Sequence, residues 1–313
     1  MKTLSKVLFI SAVAIIGLGC LIGCTNKFSY VYENGDKYTP GDRDISEKID
    51  TVYIDYMSGN VTLLGEDTDT VSIKETTNKE IEDRMKVHTW VDGSTLFVRY
   101  CASGSGFDFN DIEKKLEISV PKDVKLTAAN VDISSGGFTG KDFEAEALDA
   151  HASSGGIDVD CTAKKISFDV SSGSINLVQH GESDEINIEA SSGGMTLDIE
   201  NAAKTNISIS SGKVKLNAGN IKELAAEASS GDMEFKLSTV PEKTNISASS
   251  GDVKMYLPEK SDITATIDTS SGDFNSDLSF SKKDGKYVCG EGTNKMEIET
   301  SSGDVDILKN TEE

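Results

Sequence analysis

The chain has 313 residues, a formal charge of −22 at neutral pH and a sequence pI near 4.5. Such acidity argues against nucleic acid as a partner and against broad electrostatic adhesion to anionic lipid. Aromatic residues make up 6%, proline is rare at four, and glycine is common at 28, a balance that suits many strands joined by tight turns better than helices.

At the N-terminus, Lys2 and Lys6 precede the uncharged apolar stretch VLFISAVAIIGLGCLIG (7–23), the pattern of a secretory signal peptide. A retained membrane anchor is the rival reading, because the run is near the lower length limit for crossing a bilayer. The following LIGC (21–24) resembles the bacterial lipobox, in which the cysteine receives diacylglycerol and becomes the mature N-terminus. GLGC, ending at Cys20, is a poorer match because Gly17 takes the usual leucine position. The reading is therefore a signal peptide over 1–23 and a lipid on Cys24, whose acyl chains would hold the protein to the membrane.

Residues 24–47 form a polar N-terminal segment or tether, with turn signals in ENGD (33–36) and TPGD (39–42), although FSYVY (28–32) could pair as a strand. A strand region follows over 48–122. Its alternating runs are TVYIDYM (51–57), NVTLL (60–64) and TVSIKET (70–76), then KVHTWVDGSTLFVRYC (86–101) as a hairpin around Asp92-Gly93, and KLEISVP (115–121). KEIEDRM (79–85) reads as one helical turn or a charged loop.

From 123 to 313 a repeat takes over. Ser-Ser-Gly ends at Gly136, Gly155, Gly173, Gly193, Gly212, Gly231, Gly251, Gly272 and Gly303, and most intervals are about 19–20 residues, the signature of a repeat architecture. VYIDYMSG before Gly59 fits the same template in degenerate form. With each glycine set to zero, apolar or small residues fall at −7, −5 and −3 and again at +2, +4 and +6. Around Gly193 these are Ile186, Ile188, Ala190, Met195, Leu197 and Ile199; around Gly173 the series ends on an exception, Gln179. Each run is a strand with one dry and one wet face.

The step from −3 to +2 is odd in number, so a straight strand would send those side chains to opposite faces. Glycine supplies the backbone freedom for a bend that returns both to one core, and the serines can bond to nearby backbone. Two geometries satisfy the step. In a β-solenoid (a single-stranded β-helix-like stack), Ser-Ser-Gly is the corner of each coil; in stacked β-hairpins it is the loop of each hairpin. Identical corners favour the solenoid, where residue i lies over roughly i+19. A single unit buries too few side chains to offset the ordering of its backbone, so neighbours must share a core. The segment SKKDGKYVCGEG (281–292) falls in the long last interval, as a loop or hairpin able to cap the final coil.

The search for chemistry yields little. His88, His151 and His180 form no HExxH pattern and no partnership with a nucleophile, and read as solvated strand or loop residues. A serine repeated in every unit lacks the singular environment a nucleophile needs. Cys101, Cys161 and Cys289 have no zinc-like spacing; Cys161 reads as a buried free thiol, with one disulfide involving Cys101 or Cys289 as the alternative. Asp232, Asp252, Asp273 and Asp304 follow corner glycines. Stacked, the first three would form a carboxylate ladder, either an ordinary turn ladder or a weak candidate calcium site. No cofactor is expected.

Several motifs resemble the DUF4097 family of bacterial envelope proteins, whose members often carry the label of candidate adhesins: DKYTPGDRDI (36–45), IDTVYIDYMSGNVTLL (49–64), WVDGSTLFVRY (90–100), LEISVPKDV (116–124) and the serial SSG turns. The resemblance spans roughly residues 36–308. It implies an all-β, solenoid-like fold and an extracytoplasmic location, and brings no agreed catalytic residues. The expected function is a non-enzymatic lipoprotein, held on the membrane of a Gram-positive cell, that offers a stiff acidic surface to an envelope polymer, protein or peptide. The alternatives are an envelope-stress scaffold that binds a protein or cationic peptide, and a carbohydrate-active β-helix enzyme.

Overall fold

The computed structural model describes residues 29–106 and 112–311. Strand dominates them; the helical content is two single 3-10 turns, Gly35–Lys37 and Asp83–Met85. No helix among the described residues is long and apolar enough to cross a membrane, and the stretch 7–24, with Cys24, lies outside them.

The alternating pattern folds as a β-solenoid. Around Gly193, Ile186, Ile188, Ala190, Met195, Leu197 and Ile199 are all buried, so the residues at −3 and +2 do face one interior. Strands pair in parallel with their counterparts one coil away, Phe168 with Ile188 and Ile157 with Ile175. Hairpins would instead pair the two strands flanking each corner antiparallel. The strands that enter the corners make one sheet, face A, and those that leave make another, face B. Their inward side chains form one continuous apolar core.

The corner requires glycine twice over. From Gly136 to Gly303 the SSG glycines take φ between 128° and 156°, a region that side-chain-bearing residues rarely enter. Each also lies against the corner glycine of the adjoining coil: a Cβ on Gly155 would meet Gly136, and one on Gly173 would meet Gly155. The corner amide is satisfied across coils, with Gly155 N donating to Ser172 O at 2.8 Å and Gly173 N to Ser192 O at 3.0 Å. It is thus the backbone carbonyl of the second serine that closes the corner, while most of the serine side chains are exposed.

Stacking order departs from chain order at both ends. The Gly59 coil (Thr51–Ser58 and Asn60–Glu66) stacks directly on the Gly136 coil. On its other side lies a later segment, Thr95–Arg99 and Lys114–Pro121, with Lys114 in place of the corner glycine. At the C-terminal end, Asn294–Ser302 inserts between Lys243–Ser250 and Ile263–Thr269. The Gly303 coil therefore separates Gly251 from Gly272. The cause is the hairpin Ser281–Lys283/Lys286–Cys289, which turns at Asp284-Gly285 and runs antiparallel along Ile263–Ala265. It covers the outer edge of the terminal coil and returns the chain to the inner one. Phe274, Phe280 and Tyr287 pack edge-on there, with Phe274 and Tyr287 centroids 4.8 Å apart.

The other end is capped by residues read as a tether. Ser29–Tyr30 pairs with Ser105–Gly106, Thr39–Pro40 with His88 and Thr89, and Arg43–Ile45 with Val71–Ile73, all antiparallel. The hairpin His88–Asp92/Thr95–Arg99 has Gly93-Ser94 as its two loop residues, one position later than the sequence suggests. A positive φ of 64° at Gly93 suits the first position of a type II′ turn. His88, expected to be solvated, is buried with Nδ1 2.9 Å from Lys86 O. Beneath it lies a buried ion pair: Lys114 Nζ is 2.9 Å from Glu75 Oε1, donates to Tyr100 O at 2.7 Å and to Met85 O, and sits 4.0 Å from the Tyr100 ring centroid.

Candidate functional site

The four aspartates do stack, in an order the sequence hides: Asp232, Asp252, Asp304, Asp273. Each carboxylate accepts from the next backbone amide, with Asp252 N to Asp232 Oδ1 at 3.3 Å, Asp304 N to Asp252 Oδ1 at 2.9 Å and Asp273 N to Asp304 Oδ1 at 2.8 Å. Asp273 therefore neighbours Asp304 rather than Asp252. Amide donors offset the stacked negative charge without an ion, and no group of three His, Cys, Asp or Glu placed to hold a metal occurs among the described residues. Cys101, Cys161 and Cys289 are free and buried, so the disulfide alternative is not formed. Burial pushes the Cys161 thiol up to about 12 and Cys101 up to about 11, which keeps both protonated and unreactive. His151 and His180 each face one carboxylate in an adjoining coil, Asp169 at 3.5 Å and Asp160 at 2.7 Å.

What the structure assembles, and the sequence reading missed, is a surface on the outside of face A. Trp90, Phe97 and Tyr53 are consecutive register partners on adjacent strands. Their rings stack at centroid separations of 5.2 Å (Trp90–Phe97, 18° between planes) and 5.4 Å (Tyr53–Phe97, 11°). Tyr38, Tyr32 and Tyr30 continue the aromatic chain from the N-terminal segment at 5.7, 4.8 and 5.3 Å, with Lys37 over Trp90 and Arg99 over Tyr32. One signal could have found it. In TVYIDYM and TLFVRY the inward parity carries Val52, Ile54, Leu96 and Val98, so Tyr53 and Phe97 stand where other units place Asn, Ser or Asp.

Beyond Tyr53 the same register row becomes polar: Asn130, Asp149, Ser167, Asn187, then Asn206, whose Nδ2 donates to Asn187 Oδ1 at 2.6 Å. Asn130 Nδ2 is buried without a hydrogen-bond partner. Two residues nearer the corner runs a charged row: Arg99, Asp55, Asp132, His151, Asp169, Glu189. Arg99 pairs with Asp55 at its start. Burial, then the nearby Asp55 charge, raises the Asp132 carboxyl above its ordinary value, opposed by His151 and Arg99; burial raises Asp149 likewise. The two rows border a depression of about 140 Å³ lined by Asn187, Glu189, Asn206, Ser208, Ala225 and Glu227, among others, where small side chains lower the surface. Face B carries a wider cleft of about 330 Å³ over Gly137 and Gly156, walled by Asn60, Thr62, Lys115, Thr139, Asp158 and Asn176. No aromatic ring other than inward-facing Phe138 borders it.

The Toastrack DUF4097 family model matches residues 49–308. No curated protein matches the chain. Solved structures similar to it include a candidate adhesin from Parabacteroides merdae ATCC 43184, at 13% identity and a TM-score of 0.43, covering 88% of this chain and 100% of that one. A candidate adhesin from Bacteroides fragilis NCTC 9343 shows 14% identity and a TM-score of 0.39, over 68% of this chain and 95% of that one. A candidate cell adhesion protein from Clostridium sporogenes ATCC 15579 shows 10% and 0.25, over 87% and 100%.

Proposed function

The chain belongs to the Toastrack DUF4097 family, and from that fold and the surface of face A we propose that it is a non-enzymatic binding protein of the bacterial cell surface. A lipid on Cys24 would hold it to the outer side of the membrane of a Gram-positive cell, and the rod would present its acidic face for adhesion or for capture of an envelope component. The observation that carries the reading is the half-buried stack of Trp90, Phe97 and Tyr53 on the outer side of face A, because rings placed outside a core that already has its own supply offer flat apolar faces to a partner. The full chain, purified and immobilised, should retain one class among envelope polymers, peptides and host glycans in a pulldown. Retention of none, with cleavage of a polysaccharide substrate instead, would replace binding by catalysis. Substituting Cys24→Ala should abolish incorporation of labelled fatty acid and release the protein from cells.

A second reading has its own support. The row from Asp55 to Glu189 would draw cationic peptides, with strong salt dependence, as an envelope-stress scaffold would need. Deletion that changes neither antimicrobial tolerance nor the output of a stress reporter would remove it.

A further inference from the structure

We propose that the outer surface of face A is a track for a linear glycan of neutral or amine-bearing pyranose rings, laid along the rod and crossing the strands. This rests on the binding reading above and names its ligand class and site. The track starts at the aromatic stack, whose last ring is Tyr53, and runs through Asn130, Asp149, Ser167, Asn187 and Asn206. It ends in the depression beside Ala225.

Three features select the occupant. The row repeats at the strand spacing of about 4.8 Å, so six steps from Tyr53 to Ala225 span about 29 Å. A pyranose chain with equatorial linkages advances by slightly more than one strand spacing per ring, so each ring stays within reach of a row side chain along the track. An extended peptide puts like-facing side chains about 6.6 Å apart and falls out of register at once. The side chains also have the required chemistry: an aromatic ring for the apolar face of a sugar, then amides, a hydroxyl and a carboxylate for its hydroxyl groups. Finally, Asp55, Asp132, Asp169, Glu189 and Glu227 flank the row, so uronic acids and phosphate-bearing polymers meet repulsion while an amine is welcome. The cleft on face B offers hydrogen-bonding groups without an outward ring to stack on.

The test is calorimetric titration of the full chain with β-1,4-linked N-acetylglucosamine and glucosamine oligomers of increasing length, with an oligouronate and a lysine-rich peptide alongside. Affinity should climb with length and level off at about six rings, the span from Tyr53 to the depression beside Ala225, in the order glucosamine, N-acetylglucosamine, uronate. Tyr53→Ala and Ala225→Arg should each weaken binding by about tenfold or more, equivalent to about 1.4 kcal/mol, while Tyr53→Phe stays near the parent. Tyr53 packs on Phe97, so melting curves accompany its variants; Ala225→Arg acts at the opposite end and leaves the ring stack intact. Failure of every neutral and amine-bearing oligomer to bind overturns the proposal, as does binding that ignores both Ala225→Arg and Tyr53→Ala. Capture of the peptide alone overturns the glycan track and leaves the broader binding function standing; capture of nothing in the wider panel removes both.

Discussion

Replacing the corner glycine Gly193 by alanine tests the stacking principle at its centre. The residue has φ +132°, and an alanine Cβ would lie 2.7 Å from the carbonyl carbon of Gly173 and closer still to its oxygen. The obstacle is backbone held by hydrogen bonds on both sides, so no flexible side chain can swing away. Occupying that region with a non-glycine residue costs about 1–3 kcal/mol. Relief of the overlap must push neighbouring coils apart, which takes the total beyond about 4 kcal/mol, the range reserved for disrupted cores and backbones. Gly194 is the control one residue away, because a Cβ there finds its nearest neighbour, Lys213 O, at an ordinary 3.7 Å. Urea denaturation should therefore give a much lower midpoint for Gly193→Ala and a shift within about 0.5 kcal/mol for Gly194→Ala. Labelling of Cys161, buried two coils away in the Gly155 coil, should accelerate only in the first variant. Two variants within about 1 kcal/mol of each other would refute the account of the corners.

Thr205 and Thr244 take the buried −7 position with no hydrogen-bond partner for Oγ1, so Thr→Val at either site should raise stability by about 1 kcal/mol in thermal melts; a loss would mean that the hydroxyl is satisfied in solution. The raised Asp132 carboxyl binds its proton more tightly in the folded chain than in the unfolded one, so its contribution to stability is present below pH 3.8 and is lost as pH rises through the raised value. Asp132→Asn should accordingly stabilise the protein at neutral pH and make no difference in strong acid, as read from urea midpoints across that range. Lys114→Ala leaves Glu75 charged and buried beneath Tyr56 and Val87 and should cost about 3–5 kcal/mol. Adding Glu75→Gln should recover some of it, since a neutral amide can accept from Val87 N through its oxygen and donate to the Tyr56 hydroxyl through its NH2; no recovery would place the loss in packing rather than charge.

The repeat was legible because its two signals are local and mutually reinforcing. Alternation fixes which side chains face inward, and the odd step across Ser-Ser-Gly demands a bend that only a glycine in the left-handed half of backbone space supplies. Ile186 through Ile199 follow that arithmetic without exception. The face-A surface was not legible in the same way. Tyr30, Tyr32, Tyr38, Tyr53, Trp90 and Phe97 are scattered over 68 positions of sequence, and only the cap's antiparallel pairings bring Trp90 beside Phe97 and Phe97 beside Tyr53. A composition of 6% aromatic residues says nothing about their convergence. Residues 29–45 escape a sequence reading for a related reason: polar, turn-rich sequence describes a free tether as well as it describes short edge strands whose partners lie 26 to 77 positions away.

The inverted order of the last coils follows from what makes the repeat so regular. Because every corner presents the same glycine carbonyl and the same serine acceptor, the edge of one coil fits the edge of any other, and the corner motif fixes register without fixing neighbour. Neighbour choice falls to the connections. Between most units the link is short enough to allow only the adjoining position, but the hairpin at 281–289 lets the chain pass outside Ile263–Ala265 and return inside it. The same indifference would let an uncapped end accept a coil from a second molecule. Each end therefore carries something that no corner can match: Lys114 and its buried partner Glu75 at one, the Phe274–Phe280–Tyr287 cluster with its antiparallel hairpin at the other. A rod built from interchangeable units keeps a definite length because its ends are the elements that do not repeat.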